Sequence, residues 1–268
     1  MRTSPFEDCQ TKVNSFCAGP KLQRVSDLAT GEVHVWGFEL SDDSEHLLEM
    51  HALLSDEELA RAGKSRAETV RRRFIAARGT LKAILARYLD TAPERLHIVY
   101  GEHGKPRLAD SHDAPALEFN LTHSEDFALL AVAVGRALGI DLECADRVQN
   151  AMRIAARSFS KQENAALLRL PAALQQRAFM LAWTRKEAYA KARGGGFAYG
   201  FRNFSVALVP DEPAALLADE RDPDAPHHWT LRDINVGAEF CAALAGSGTA
   251  MRVQLWRWPI RSDETAPA

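Results

Sequence analysis

Two acidic segments of the chain carry side chains suited to metal-dependent chemistry. In the first, residues 139–143 (GIDLE), an extended strand would place Asp141 and Glu143 on one face and Ile140 and Leu142 on the other. Two carboxylates on one face of an apolar strand repel each other unless a cation lies between them. Such oxygen ligands suit Mg²⁺, which keeps several waters and takes few protein carboxylates beside substrate phosphates. We therefore expect Mg²⁺ at Asp141 and Glu143.

The second segment, residues 183–191 (WTRKEAYAK), is predicted to be helical and supplies a third carboxylate, Glu187, between Lys186 and Lys191. Carboxylates for a metal and lysines for phosphate oxygens are what phosphoryl-type transfer requires. A simpler alternative is that Glu187 and Lys191, at i and i+4, form an ordinary helical ion pair worth roughly 0.2–0.5 kcal/mol. Because Asp141 and Glu143 give Glu187 a reason to face inward, we favour the metal site.

These segments belong to an ordered set of motifs. Along the chain they are GKP at 104–106, FNLTHS at 119–124, GIDLE at 139–143, FSKQE at 159–163 and WTRKEAYAKARGGGF at 183–197. Taken together, the motifs resemble those of the 4′-phosphopantetheinyl transferases, and more narrowly the large single-chain type that activates nonribosomal peptide and polyketide synthases. The resemblance covers about residues 57–205. It implies transfer of the 4′-phosphopantetheine arm of coenzyme A to a serine of an acyl or peptidyl carrier protein, with release of 3′,5′-ADP.

The resemblance also implies roles for individual residues. Mg²⁺ would be held by Asp141, Glu143 and Glu187, and Asp141, Glu187 and Lys191 would be the catalytic residues. Coenzyme A would be bound by Arg61, Arg73, Gly104, Lys105, Pro106, Thr122, His123, Lys186 and Lys191. Within this set, Arg61 and Arg73 resemble the positions that grip the 3′-phosphate, and His123 resembles one that contacts a phosphate.

Several of these residues have plain structural alternatives. From the residues alone, GKP could be only a tight turn ahead of a strand, and a single histidine such as His123 is more often structural than functional. Arg73 and Arg78 lie at opposite margins of the apolar stripe of a helix, where long side chains also cover the stripe, and both roles stay open for Arg78. Glu163 is expected to be structural, because it completes a capping box with Ser160.

Composition and charge limit the class of protein. The chain has 268 residues and a net charge of −3, so it can bury a substantial core and has no global basic field for nucleic acid. Its four cysteines show neither paired nor metal-ligand spacing, which fits a reducing cytoplasm. Residues 1–10 lack the apolar core of a secretory signal, and the apolar run Phe127–Val134 is too short to span a bilayer. We expect a cytoplasmic monomer without nucleic acid or membrane partners.

Strand and helix patterns alternate along the chain. Strands are predicted at 32–40, 97–100, 117–121, 127–134, 139–143, 204–208, 229–235, 240–244 and 251–258, and helices at 44–60, 68–88 and 151–192, the last broken near Pro171. Residues 210–226, rich in proline and acids, are predicted to be an exposed loop. No convincing residue-level repeat is visible.

The family resemblance implies an α+β fold of two similar halves, each a small sheet packed on helices, with the active site in the cleft between them. The corresponding divisions are a loose N-terminal extension (1–30), an N-terminal half (31–136), a C-terminal half (137–260) and a tail (261–268). An acidic carrier protein would dock near the cleft, at residues 144–156. Two other functions remain open: a Mg²⁺-dependent phosphohydrolase acting on a nucleotide, and a non-catalytic coenzyme A-binding module.

Overall fold

Two long helices, each packed on a small sheet, organise the fold. The computed structural model of the protein describes residues 17–18, 28–29, 31–40, 43–109, 117–145 and 148–258. Its strands are β1 (Cys17–Ala18), β2 (Glu32–Glu39), β3 (Ile98–Tyr100), β4 (Pro106–Leu108), β5 (Leu117–Ser124), β6 (Phe127–Val134), β7 (Leu138–Cys144), β8 (Phe204–Val206), β9 (Leu216–Asp219), β10 (Trp229–Asp233), β11 (Phe240–Ser247) and β12 (Arg252–Arg257). Its helices are α1 (Ser44–Ala52), α2 (Asp56–Ala62), α3 (Glu68–Leu89), α4 (Ala151–Ser158), α5 (Lys161–Arg169), α6 (Ala172–Ala192) and α7 (Ala225–His228).

The strands form two main sheets. The first has the order β1-β12-β2-β6-β5 and the second the order β10-β11-β7, while β3–β4 and β8–β9 form separate two-stranded ribbons. Neighbours are antiparallel except at β12, which runs parallel to both β1 and β2. Strand β7 therefore lies at one edge of the second sheet, and β5 lies at one edge of the first.

The sheets are sandwiched between the two long helices. On β2, Trp36 and Phe38 pack against α3, whereas Val33 and Val35 pack against apolar residues of the second sheet. The opposite face of the second sheet, represented by Ala243, packs against α6. The layer order is therefore helix, sheet, sheet, helix. Because β6 is covered on both faces, its sequence is a continuous apolar run instead of an alternating one.

The same order of elements occurs twice. A strand (β2), three helices (α1–α3), a ribbon (β3–β4) and two strands (β5, β6) are followed by β7, α4–α6, β8–β9, β10 and β11. The strand orders β2-β6-β5 and β7-β11-β10 also correspond. The predicted α+β fold of two similar halves is therefore confirmed.

Each half fastens its second helix to its third helix in the same way. In α2, Ser55 and Glu58 form a capping box, and Glu58 Oε2 lies 3.3 Å from Lys82 Nζ of α3. In α5, Ser160 and Glu163 form the same capping box, and Glu163 pairs with a lysine of α6. The structural role predicted for Glu163 is confirmed, with an ion pair in addition to the cap.

Several elements differ from their prediction. The helix expected at 44–60 is two helices, because the Ser55 cap starts a new one, and the predicted loop at 210–226 contains β9, which pairs with β8. The stretch 151–192 has a second break, at the Ser160 cap. Strand β12, which follows the second half in the chain, pairs with β2 in the first sheet.

The two ends of the chain are described only in part. In the predicted N-terminal extension, β1 pairs with β12 and Leu28 packs into the core beside α3; most of the rest of the extension, and the whole predicted tail at 261–268, lie outside the described residues. None of the helices in the described ranges is long and apolar enough to cross a membrane.

Candidate active site

Strand β7 presents its acidic side chains to helix α6. Ile140 and Leu142 are buried between the two sheets, as the alternation predicts. On the other face, a Cβ atom added to Gly139 would lie only 2.3 Å from the carbonyl oxygen of Ala188. Helix α6 therefore packs directly on the backbone of β7, and Asp141, two residues further along, faces the same helix.

The side chain of Lys191 connects α6 to β7. Its Nζ lies 2.5 Å from Asp141 Oδ1, 3.2 Å from the carbonyl oxygen of Ile140 and 3.4 Å from Thr122 Oγ1. Asp141 is only 4% exposed, and its other oxygen, Oδ2, has no hydrogen-bond partner among the described residues. The site therefore contains a buried carboxylate that one lysine satisfies on one oxygen only.

Glu187 lies in the field of the other two carboxylates. Burial, together with the negative charges of Asp141 and Glu143, raises the pKa of Glu187 to about 7, while the charge of Lys191 opposes the shift. Asp141 and Glu143 are thus close enough to disfavour the negative charge of Glu187. Because Lys191 makes its ion pair with Asp141, the simple Glu187–Lys191 surface pair does not describe this helix.

These carboxylates fit a divalent cation. Within the described ranges, no three histidine, cysteine or carboxylate side chains are gathered into a ready metal site. The unpartnered Asp141 Oδ2 and the raised pKa of Glu187 nevertheless mark negative charge that a cation would stabilise. Carboxylate oxygens are also the ligands that Mg²⁺ prefers.

Arg73 is already paired with carboxylates. Its Nε lies 2.7 Å from Asp126 Oδ1, and its Nη2 lies 3.5 Å from Glu125 Oε2. The hydrogen bond to Asp126 raises the pKa of the guanidinium. An anion at Arg73 would have to compete with both acids, which weakens its predicted role in phosphate binding.

Arg61 and Arg78 instead meet at Tyr100. The Arg61 guanidinium lies over the Tyr100 ring, 4.1 Å from its centroid, and Arg78 Nη2 donates to the Tyr100 hydroxyl. Arg78 is 6% exposed, and its Nη1 has no hydrogen-bond partner within the described part of the chain. Burial lowers the pKa of Arg78, although Glu58, 3.6 Å from its Nε, partly offsets that effect. The guanidinium groups of Arg61 and Arg78 therefore meet at one tyrosine, and Arg78 keeps one nitrogen, Nη1, without a partner among the described residues.

The GKP motif forms the turn of the β3–β4 ribbon. Gly104 adopts a positive φ of 77°, which favours glycine, and Pro106 begins β4. Lys105 Nζ lies 2.9 Å from the carbonyl oxygen of Leu138, the first residue of β7, and burial lowers its pKa. Lys105 thus contacts the backbone of β7, a role that the sequence did not predict.

The FNLTHS motif lies on β5 beside β7. Thr122 is buried, with its Oγ1 3.5 Å from Asp141 Oδ1, whereas His123 is exposed near the end of the strand. Two residues that sequence reasoning missed lie on either side: Asn120 Oδ1 accepts from Ile140 N at 2.8 Å, and Ser124 Oγ accepts from Cys144 N at 3.1 Å. The available signal was the alternation of polar residues at 120, 122 and 124.

Lys186, which the sequence predicts to bind coenzyme A, lies in the core of its half and is bonded there. Its side chain is fully buried, its Nζ donates to both carboxylate oxygens of Glu163 at 2.8 Å, and it also donates to the carbonyl oxygen of Phe204. Burial lowers the pKa of Lys186 to about 8, and Glu163 counteracts that shift. Successive helical residues are rotated by about 100°, so Lys186 faces the core of its half while Glu187 faces β7.

Three carboxylates and two lysines thus lie at or beside β7, a group of charges that would suit a cation and an anionic substrate. Residues 137–245 match the profile of the 4′-phosphopantetheinyl transferase superfamily, and residues 41–135 match the N-terminal region of a 4′-phosphopantetheinyl transferase. The 4′-phosphopantetheinyl transferase HetI of a Nostoc species is 37% identical over 239 residues, which cover 89% of this chain and 96% of HetI. The chain therefore belongs to the 4′-phosphopantetheinyl transferase family, as its motifs indicated.

Two further similarities are weaker. A phosphopantetheinyl transferase of a Thraustochytrium species is 28% identical over 208 residues, which cover 73% of this chain and 71% of that protein. A crystal structure of a holo-(acyl-carrier-protein) synthase from Bacillus anthracis in complex with coenzyme A (3′,5′-ADP) is similar at a TM-score of 0.35 and 20% identity, over 42% of this chain and 96% of that one. A TM-score this low carries no argument about the site.

Proposed function

We propose that this protein transfers the 4′-phosphopantetheine arm of coenzyme A to a serine of an acyl or peptidyl carrier protein, converting the apo carrier to its holo form and releasing 3′,5′-ADP. Membership of the 4′-phosphopantetheinyl transferase family gives the class of reaction. The observation that carries the proposal to these residues is the buried Asp141, with one oxygen on Lys191 and the other unpartnered, beside Glu187 with its raised pKa.

Asp141, Glu143 and Glu187 are the residues that would hold Mg²⁺. When bound, the ion would supply positive charge for the pyrophosphate of coenzyme A. Lys191, which bonds to Asp141 in the structure, would offer its ammonium group to a phosphate oxygen of coenzyme A beside these carboxylates.

The 3′-phosphate of coenzyme A would be bound by Arg61 and Arg78. The support is their shared contact with Tyr100 and the unsatisfied Nη1 of Arg78. A guanidinium held in place by packing gives up little further freedom when it binds a phosphate. Arg73 would contribute less, because its charge is already neutralised by Asp126 and Glu125. Gly104, Pro106, Thr122 and His123 would line the path between this phosphate site and Asp141.

Glu187 is the candidate for removing the proton of the carrier serine. A pKa near 7 places this carboxylate close to the pH at which a general base is most effective. The base form would be present for about half of the molecules at neutral pH, and positive charge from a bound cation would increase that fraction.

The carrier protein would dock beside the end of β7, at residues 144–156. Helix α4 exposes Arg153 and Ala156 there, while Met152 and Ile154 are partly buried. Exposed positive charge suits an acidic carrier. We further propose that the protein acts in the cytoplasm as a monomer, on carriers of polyketide or nonribosomal peptide synthesis.

Mass spectrometry of a purified apo carrier incubated with coenzyme A, this protein and Mg²⁺ tests the proposal. We expect a mass gain equal to one phosphopantetheine group, which disappears when EDTA replaces Mg²⁺ or when the acceptor serine is changed to alanine. Release of free phosphopantetheine without a carrier would instead indicate a phosphohydrolase. Binding of coenzyme A without either product would indicate a non-catalytic module.

A further inference from the structure

The free edge of β7 is bonded by side chains instead of by a neighbouring strand. β7 is the last strand of the second sheet. Backbone groups at Leu138, Ile140 and Cys144 are nevertheless satisfied: Lys105 donates to Leu138 O, Lys191 donates to Ile140 O, Asn120 accepts from Ile140 N, and Ser124 accepts from Cys144 N. Three of these four side chains come from the N-terminal half.

Strand β5 provides two of these side chains at regular spacing. In both the Asn120 and the Ser124 bond, the partners are 20 positions apart in sequence, so β5 and β7 run in the same direction side by side. Asn120, Thr122 and Ser124 alternate along β5 and therefore share one face. The middle residue, Thr122, meets Asp141 itself.

Hydrogen bonds made by side chains leave a wider gap between β5 and β7 than backbone hydrogen bonds would. Strands joined by their backbones lie about 4.8 Å apart, too close for a threonine hydroxyl and a carboxylate to meet between them. The Asn120 amide and the Ser124 hydroxyl keep the two strands further apart, and they still accept hydrogen bonds from the N–H groups of Ile140 and Cys144. Asp141 and Glu143 lie between the two bonded positions, Ile140 and Cys144, so both ends of the acidic segment are tied to β5.

We propose that Asn120 and Ser124 are positioning residues, which hold β7 at the separation from β5 that keeps Asp141 against Thr122 and both carboxylates turned toward α6. The inference rests on the proposed function, because it concerns the geometry of that site. This role requires no contact with the substrate. Each acts through the backbone of the strand that carries Asp141 and Glu143.

Three substitutions and a matched control test this role. Asn120→Leu removes the acceptor at similar size, Asn120→Asp restores an acceptor oxygen, and Ser124→Ala removes the hydroxyl. The control is Ser205→Ala, because Ser205 is equally buried but its hydroxyl bonds to Ser160 in the core of the C-terminal half. Each variant is assayed for the free energy of unfolding, for amide hydrogen exchange at Ile140 and Cys144, and for kcat and KM in carrier modification.

For Asn120→Leu and Ser124→Ala, we expect kcat to fall about tenfold or more, while KM for coenzyme A changes less than about twofold, because a small displacement of reacting groups mainly affects the transition state. Exchange should accelerate at the Ile140 amide in the first variant and at the Cys144 amide in the second. Asn120→Asp should recover a large part of kcat. The Ser205→Ala control should change stability without this division between kcat and KM.

Unchanged kcat in both Asn120→Leu and Ser124→Ala would overturn the proposal, as would a loss that follows unfolding and appears equally in Ser205→Ala. If the unaltered protein modifies no carrier, the proposed function fails. The exchange measurement then still decides the structural part, because unaltered protection of Ile140 and Cys144 would show that these side chains do not hold β7.

Discussion

The two halves of the molecule use the same frame for different purposes. In each, a Ser-x-x-Glu capping box begins the second helix, and its glutamate pairs with a lysine of the third helix. That lysine ends a Thr-x-Lys sequence in both halves, at 80–82 in α3 and at 184–186 in α6. The frame therefore repeats in residues as well as in elements, although the repeat is too short to recognise in the sequence alone.

The halves differ at the positions that follow this lysine. One and five residues after Lys82 stand Ala83 and Arg87, whereas one and five residues after Lys186 stand Glu187 and Lys191. Arg87 lies over the Trp258 ring, 4.4 Å from its centroid, while Lys191 bonds to Asp141.

The strands that face these helices differ accordingly. β2 places Trp36 and Phe38 against α3, in an apolar layer that also contains His34 and Tyr88. β7 places Gly139 and Asp141 against α6. The N-terminal half thus fills its helix–sheet interface with aromatic packing, and the C-terminal half keeps charge there. Lys186 therefore stabilises the packing of its half, whereas its neighbour Glu187 lies at the candidate site.

The largest expected effect comes from breaking the ion pair of the frame. Lys186→Met leaves Glu163 buried without its partner, which should cost about 3–5 kcal/mol in the free energy of unfolding. Lys82→Met should cost less, because Glu58 is more exposed and lies 3.3 Å from Lys82 Nζ instead of 2.8 Å. Urea unfolding of both variants checks the order. Equal losses would contradict the view that the C-terminal pair is the tighter one.

Glu187→Gln should lower activity without lowering stability. Removing the carboxylate should lower kcat by about a hundredfold, the scale expected for losing general acid–base help. Yet the same change should stabilise the metal-free protein. Because the folded-state pKa of Glu187 is raised from 4.5 to about 7, the folded protein binds its proton more tightly than the unfolded chain does. Stability is therefore lost as pH rises from 4.5 to 7, and the glutamine variant should not lose it.

The matched control is Glu57→Gln, which alters an exposed glutamate of α2. It should change neither kcat nor the pH dependence of unfolding. If Glu187→Gln retained full turnover, the Glu187 carboxylate would have no part in the reaction.

Gly139→Ala tests the close contact between β7 and α6. The added Cβ would meet the backbone of Ala188 and Ala192 at 2.3 Å and 2.4 Å, and backbone cannot rotate away as a side chain can. We expect a loss of about 1–3 kcal/mol from overpacking, and reduced kcat because α6 carries Glu187 and Lys191. Gly63→Ala is the control, since its Cβ would make only ordinary contacts at 3.5 Å. A stable, fully active Gly139→Ala variant would show that α6 need not approach β7 so closely.

Sequence patterns predicted the elements that local periodicity defines. The strand Phe127–Val134 was predicted with the bounds that the structure gives, and helix α3 to within one residue. Both are long and strongly patterned. Strand β9 was missed because a four-residue strand among acids and prolines has no period to detect. The sheet that β12 joins could not be predicted, because its partner β2 lies more than two hundred residues away in the chain.

In the candidate site, too, local patterns predicted some features, whereas others depend on tertiary packing. Alternation along β7 was enough to predict that Asp141 and Glu143 share a face. It could not show that Lys186 points into the core, because neighbouring lysines on one helix look equivalent until the packing of Glu163 is known. The preference of Arg73 for Asp126 and Glu125 also depends on the turn between β5 and β6, which the pattern of α3 does not reveal.

The smallest expected effect concerns pH and the aromatic interface of the N-terminal half. His34 is buried, with its Nδ1 2.8 Å from the Tyr88 hydroxyl, which also accepts from Trp36 Nε1. That hydroxyl can therefore donate its own proton to a neutral His34, but a protonated imidazole would offer it a second donor. Burial lowers the pKa of His34, although the charge of Glu32, 3.8 Å away, opposes the shift.

The unfolded chain therefore binds a proton at His34 more readily than the folded protein does. This contribution to stability is complete above the ordinary histidine pKa of 6.5 and is lost as pH falls below it. The direction is opposite to that of Glu187, so the two halves should respond to pH with opposite signs. Urea unfolding of His34→Gln and Glu187→Gln between pH 4.5 and 8 tests this contrast: the first should remove a loss at acid pH and the second a loss toward neutral pH. If His34→Gln lost as much stability at acid pH as the unaltered protein does, the imidazole would be charged in the folded protein and stabilised by Glu32.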